Sequence, residues 1–155
     1  MTDQSVTHAT FSLERSYPVP PARVFAAWAD PDAKARWFAG PGSEGHELDF
    51  RIGGREVNRG RHEDGGTLTF ESVYHDIVPN ERIVYASALH AGQTLATVSL
   101  TTVEFVPAGD GGTRLHLTEQ ATFLDGHEQP QWREQGTREW LAALDAELLR
   151  PNGPE

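Results

Sequence analysis

From His46 onward the apolar side chains recur at every second position, in runs divided by closely spaced turn signals. Leu48, Phe50 and Ile52 alternate with Asp49 and Arg51, and Gly53-Gly54 then reads as a two-residue hairpin turn. Counting outward from that turn pairs Arg51 with Glu56 and Phe50 with Val57, so that one face is apolar and the other carries complementary charge. Further turns at Glu63 to Gly66, Pro79-Asn80, Ala91 to Gln93 and Pro107 to Gly112 delimit four strand-like runs. These are Thr67 to Val78, Arg82 to His90, Leu95 to Val106 and Thr113 to Phe123. A parallel pair needs a crossover of a dozen or more residues, so connections this short predict an antiparallel meander.

A half-buried sheet needs a cover. The sequence supplies one at its far end, where Gln131 to Leu149 follows Pro130 and stops before Pro151. Trp132, Gly136, Trp140, Leu144 and Leu148 recur every four residues, Leu141 widens the stripe, and Glu134 and Arg138 form an i,i+4 pair on the opposite side. Ahead of the meander, Phe11, Leu13, Arg15 and Tyr17 alternate with polar residues as a first strand, which Pro18, Pro20 and Pro21 end. Val24, Phe25 and Trp28 then share one helical face. Asp30-Pro31 opens a second short helix reaching about Trp37 and Phe38, and the glycine-rich Gly40 to Gly45 reads as loop. The fold class is therefore α+β: a curved antiparallel sheet of about seven strands wrapped around a long C-terminal helix. Two short helices follow the first strand. Residues 1–155 read as a single domain with an ordered core of about 8–150.

Composition narrows the functions. Thirteen basic residues against 23 acidic ones give a net charge of −10, which repels nucleic-acid backbones and anionic lipid. No apolar run approaches the ~20 residues that span a bilayer, and no signal peptide is visible, so a cytoplasmic location is expected. The absence of cysteine excludes disulfides, thiolate nucleophiles and cysteine-ligated zinc. His8, His46, His62, His75, His90, His116 and His127 show no metal-binding spacing, so neither a metal nor a cofactor is expected.

Several segments spread along the chain carry a family resemblance. They are P-P-A-R-V-F-A-A-W at Pro20 to Trp28, Asp30-Pro31 with Arg36-Trp37-Phe38, and D-F-R-I-G-G at Asp49 to Gly54. Val78 to Arg82, Gly112 to Leu115 and Leu117 to Gln120 complete the set. Their order resembles the helix-grip fold of the START-like (SRPBCC) superfamily, which includes birch-pollen-allergen-like proteins, aromatase/cyclases and lipid-transfer domains. Within it the chain is similar to the family named after activators of the heat-shock-protein-90 ATPase. The resemblance implies a non-catalytic site for a small hydrophobic or amphipathic molecule between sheet and last helix. Two alternatives stay open: an enzyme of the cyclase, dehydratase or hydrolase type using Glu119, and a co-chaperone or stress-response partner of other proteins. A homodimer also stays open.

Glu119 is the most informative residue, because Leu115, Leu117, Ala121 and Phe123 share its parity and place a carboxylate on the core face. Arg15, on the face of Phe11 and Leu13, is the expected partner, with a cavity anchor or general acid as the alternative. Phe50, Phe70, Tyr85, Phe105 and Phe123 on strands, with Trp37, Trp132 and Trp140 on helices, are the candidate aromatic lining. Gly136 either packs closely against the sheet or leaves space for a ligand, at a cost of about 1 kcal/mol relative to alanine in a helix.

Overall fold

In the computed structural model, which describes residues 4–40, 42–61 and 65–150, seven antiparallel strands form one sheet. They are β1 (Val6–Tyr17), β2 (Ser43–Leu48), β3 (Arg55–Arg61), β4 (Thr67–Val78), β5 (Arg82–Ala91), β6 (Thr94–Pro107) and β7 (Thr113–Leu124). The spatial order is β1-β7-β6-β5-β4-β3-β2, so the meander runs unbroken from β2 to β7 and β1 closes on its far side. Register irregularities at Tyr74/Asp76 and Leu89/His90 insert a residue, and such bulges bend a sheet.

Three helices fill the concave side: α1 (Pro21–Ala29), α2 (Pro31–Lys34) and α3 (Pro130–Leu148). Asp30 caps α2, its carboxylate accepting from the Ala33 amide at 2.9 Å. A π-helical turn, Ala35–Ala39, continues α2 and brings Trp37 and Phe38 against α3. Helix α3 also touches α1 and β1, completing the grip. The core is dense with rings: Trp28 packs edge-on against Trp37 at 4.9 Å between centroids, and Phe25 bridges Phe50 and Phe105.

Two sequence expectations are corrected here. Strand β2 begins at Ser43, inside the glycine-rich stretch, and ends at Leu48, before Phe50 and Ile52. Its register pairs Leu48 with Glu56 and Glu47 with Val57, so Asp49–Gly54 is a longer connection rather than a two-residue turn. The Gly54 amide bonds to the Arg51 carbonyl at 2.7 Å, with Gly53 at φ +83°, the geometry of a type II turn. A Cβ on Gly54 would lie 2.0 Å from the Asp49 carbonyl oxygen, so both glycines are needed, each for its own reason. Arg51 pairs with Asp49 on the surface, and Glu56 is buried.

The buried face of α3 is also rotated from the expected stripe. Arg133, Thr137, Leu141, Leu144 and Leu148 are buried, whereas Trp132 is 61% exposed. Steps of four residues from 132 to 148 drift through about 160° of arc, while 133, 137, 141, 144 and 148 stay within about 80°. Trp140 lies to one side, half-buried, against Trp28, Trp37 and Phe38. The Glu134–Arg138 pair forms at 2.8 Å.

Candidate functional site

Near the N-terminal half of α3 the concave face changes character. Toward its other end the sheet presents Val103, Phe105, Leu115 and Leu117, all buried beneath Leu141 and Leu144 in one apolar cluster. Here β4, β5 and β6 present Ser72, Ser87, Ser99 and Thr101, also buried. Between this floor and α3 lies a cavity of about 230 Å³. Phe70, Tyr85 and Leu89 line it from β4 and β5, Phe38 from the π-helical turn, and Trp132, Gly136 and Trp140 from α3. Asn58, Glu119, Glu128, Arg133 and Thr137 supply its polar atoms.

Of the aromatic residues proposed from the sequence, Phe70, Tyr85, Trp132 and Trp140 line this cavity, as do Glu119 and Gly136. The other four do not. Trp37 is 2% exposed and donates its indole N–H to the Ala27 carbonyl. Phe105 and Phe123 are buried, and Phe50 packs edge-on against Phe25 and Tyr74. Parity put Phe105 and Phe123 on the concave face correctly, but it does not say where along that face the helix leaves room.

Glu119 points inward, yet its partner is Arg133 rather than Arg15. Arg133 Nη1 donates to Glu119 Oε2 at 2.9 Å, while its Nε and Nη2 grip Glu128 at 3.0 and 2.8 Å. Arg15 reaches the Arg138 carbonyl instead, at 3.3 Å. The register explains the change: Phe11 lies opposite Glu119, and Arg15 lies opposite Leu115, four residues away along β7. Burial pushes the Glu119 carboxyl above its ordinary range, and attraction to Arg133 offsets only part of that. For Arg133 burial acts downward, but the bonds to Glu128 and Glu119 outweigh it and hold the guanidinium above its usual value. Among the described residues, the opposite oxygen, Glu119 Oε1, meets only the Thr101 hydroxyl, at 3.4 Å.

A second buried ionic group lies beyond Phe38. Lys34, the only lysine in the chain, is 1% exposed and donates to Glu56 Oε1 at 2.9 Å. Tyr74 Oη donates to the same oxygen at 2.7 Å, and His46 Nε2 lies 2.7 Å from Glu56 Oε2. The ammonium also sits over the rings of Phe38, Trp28 and Trp37 at 4.4 to 5.5 Å. Burial acts to raise the Glu56 carboxyl, but Lys34, His46 and Tyr74 together overcome it and bring it down to about 2. Burial also lowers Lys34. Sequence parity gave Glu56 to the solvent side, and a solitary lysine in a helix beside Trp28 and Trp37 was the available clue. The other missed site residue, Arg133, is signalled by the narrower stripe on α3.

A sheet curved around a long C-terminal helix, with a cavity between them, defines a helix-grip protein. The model of the family described as Activator of Hsp90 ATPase homolog 1-like protein matches residues 18–148, and the chain belongs to that family. Among solved structures, a protein from Rhizobium leguminosarum is 44% identical, with a TM-score of 0.91, over 97% of this chain and 100% of that one. A protein from Rhizobium loti is 45% identical, with a TM-score of 0.86, over 92% and 99%. One from Chromobacterium violaceum is 27% identical, with a TM-score of 0.75, over 92% and 98%. The chain matches no curated protein. No helix among the described residues is long and apolar enough to cross a membrane.

Proposed function

We propose that the protein binds a small amphipathic molecule in the cavity between the sheet and α3, without transforming it. The observation that carries this reading is Gly136. Glycine costs about 1 kcal/mol in a helix interior, and close packing is the usual compensation. Here a Cβ at Gly136 would meet nothing within 4 Å, although the residue lines the cavity. The missing side chain therefore leaves volume open rather than admitting a neighbour. Aromatic walls with a few buried polar groups suit an amphipathic guest, and about 230 Å³ is below the usual ~300–1,000 Å³ of ligand pockets, favouring a compound of one or two rings. Glu119 meets the cavity with its carboxylate already bonded to Arg133, which suits an anchor better than a free acid or base.

Titration with 2-(1-naphthyl)ethanol, followed by calorimetry and thermal shift, tests the reading. The native protein should bind one equivalent and be stabilised. Gly136→Leu should remain folded, because the added side chain meets open space, and lose binding at least tenfold. Unchanged affinity in Gly136→Leu would move the site elsewhere.

A further inference from the structure

The polar end of the cavity has a definite charge, and that charge selects among amphipathic guests. Two carboxylates, Glu119 and Glu128, share one guanidinium, Arg133, leaving one negative charge in excess. The guanidinium is committed on all three nitrogens: Nε and Nη2 to Glu128, Nη1 to Glu119 and, at 3.4 Å, to the Ser99 hydroxyl. An anionic guest would thus compete with two carboxylates, one buried and one half-buried, for a cation already bound by both, beneath a surface whose net charge is −10. Among the described residues Glu119 Oε1, on a residue 3% exposed, has only the long contact from Thr101 and can accept a stronger hydrogen bond. The surroundings suit a donor with positive charge. Tyr85, Trp132 and Trp140 line the same space, and aromatic faces attract organic cations.

From this arrangement we infer that the ligand is an organic cation, an amine whose ammonium group is held by Glu119 while its apolar body lies against Trp132 and Trp140. Charge balance and hydrogen bonding lead to the same assignment. An ammonium brings the Glu119–Arg133–Glu128 group to neutrality and gives Oε1 a stronger donor than the long contact from Thr101. The cost of burying Glu119 as an anion, evident in its raised pKa, falls when a second cation lies beside it. The inference rests on the cavity being a binding site and adds the class of ligand.

Three probes of one shape separate the two statements: 2-(1-naphthyl)ethylamine, 2-(1-naphthyl)ethanol and the anion of 1-naphthylacetic acid, each titrated by calorimetry at neutral pH. The amine should bind at least tenfold more tightly than the alcohol, and the anion least well. Glu119→Gln should abolish the preference, so that amine and alcohol bind this variant within about threefold of each other. Asn58→Asp, which adds a carboxylate to the lining without touching the three charged residues, should strengthen the amine and weaken the anion. Equal binding of alcohol and amine would overturn the cationic ligand and keep the cavity as a site. Tighter binding of the anion would do the same and make Arg133 the anchor. Failure of all three to bind would overturn both readings.

Discussion

Two glutamates are buried on the concave side of the same sheet, Glu56 on β3 and Glu119 on β7, and their surroundings differ in one decisive way. Glu56 accepts from Lys34 and Tyr74 through Oε1 and meets His46 through Oε2, in a part of the core walled by rings. Its carboxyl is held far below the ordinary range. Glu119 has one good bond, to Arg133, and its carboxyl is held above that range. The first group has both carboxylate oxygens bonded and lies outside the lining of the cavity beside α3. The second is incomplete and faces it. On the proposed reading, burial of a charge does not by itself mark a binding site; burial with capacity left over does.

The contrast can be broken most decisively at Lys34. Lys34→Met leaves Glu56 buried without its cation and should cost about 3–5 kcal/mol, read by chemical denaturation. Glu119→Gln should cost no more than about 1 kcal/mol, since Arg133 keeps both bonds to Glu128. Comparable losses in the two variants would show that both groups are structural.

Acid unfolding sharpens the same comparison. With its folded value lowered from 4.5 to about 2, Glu56 stabilises the fold above pH 4.5, and this contribution is lost as pH falls toward about 2. It amounts to about 3 kcal/mol. Glu119 has the opposite sign: its raised value favours the protonated form on folding, so it opposes folding as pH rises past 4.5 and favours it on acidification. Glu56→Gln should flatten the acid limb of stability against pH, and Glu119→Gln should steepen it. The smallest expected effect is at Gly136. Gly136→Ala should stabilise by up to about 1 kcal/mol in thermal or urea unfolding, because alanine is the better helix former and meets no neighbour. Destabilisation there would mean that the glycine is packed after all.

The sequence made the architecture plain because alternation and turn residues repeat the same message in every strand. The expected run Thr67 to Val78 is β4 as observed, and the expected Thr113 to Phe123 is one residue shorter than β7. Register was harder to read. Gly53-Gly54 suggests a two-residue turn, whereas the observed connection depends on how closely Gly54 approaches the Asp49 carbonyl, a contact made only once the loop has closed. The site was half legible for a related reason. Alternation assigns Glu119, Phe70 and Tyr85 to the concave face, but the partner of Glu119 comes from α3, whose rotation about its own axis is set by packing. A stripe counted in fours hid Arg133, and with it the charged end of the cavity.

The most direct test of a binding cavity beside a sealed core uses the tryptophans, two in each region: Trp132 and Trp140 line the cavity, and Trp28 and Trp37 are buried in the core. Indole N–H resonances followed by two-dimensional NMR during titration with 2-(1-naphthyl)ethanol resolve the four positions at once. The account predicts saturable shifts that are largest at Trp132 and Trp140 and smallest at Trp28 and Trp37, with the pattern lost in Gly136→Leu. Shifts largest at Trp28 and Trp37, or four resonances unmoved while calorimetry registers binding, would contradict it.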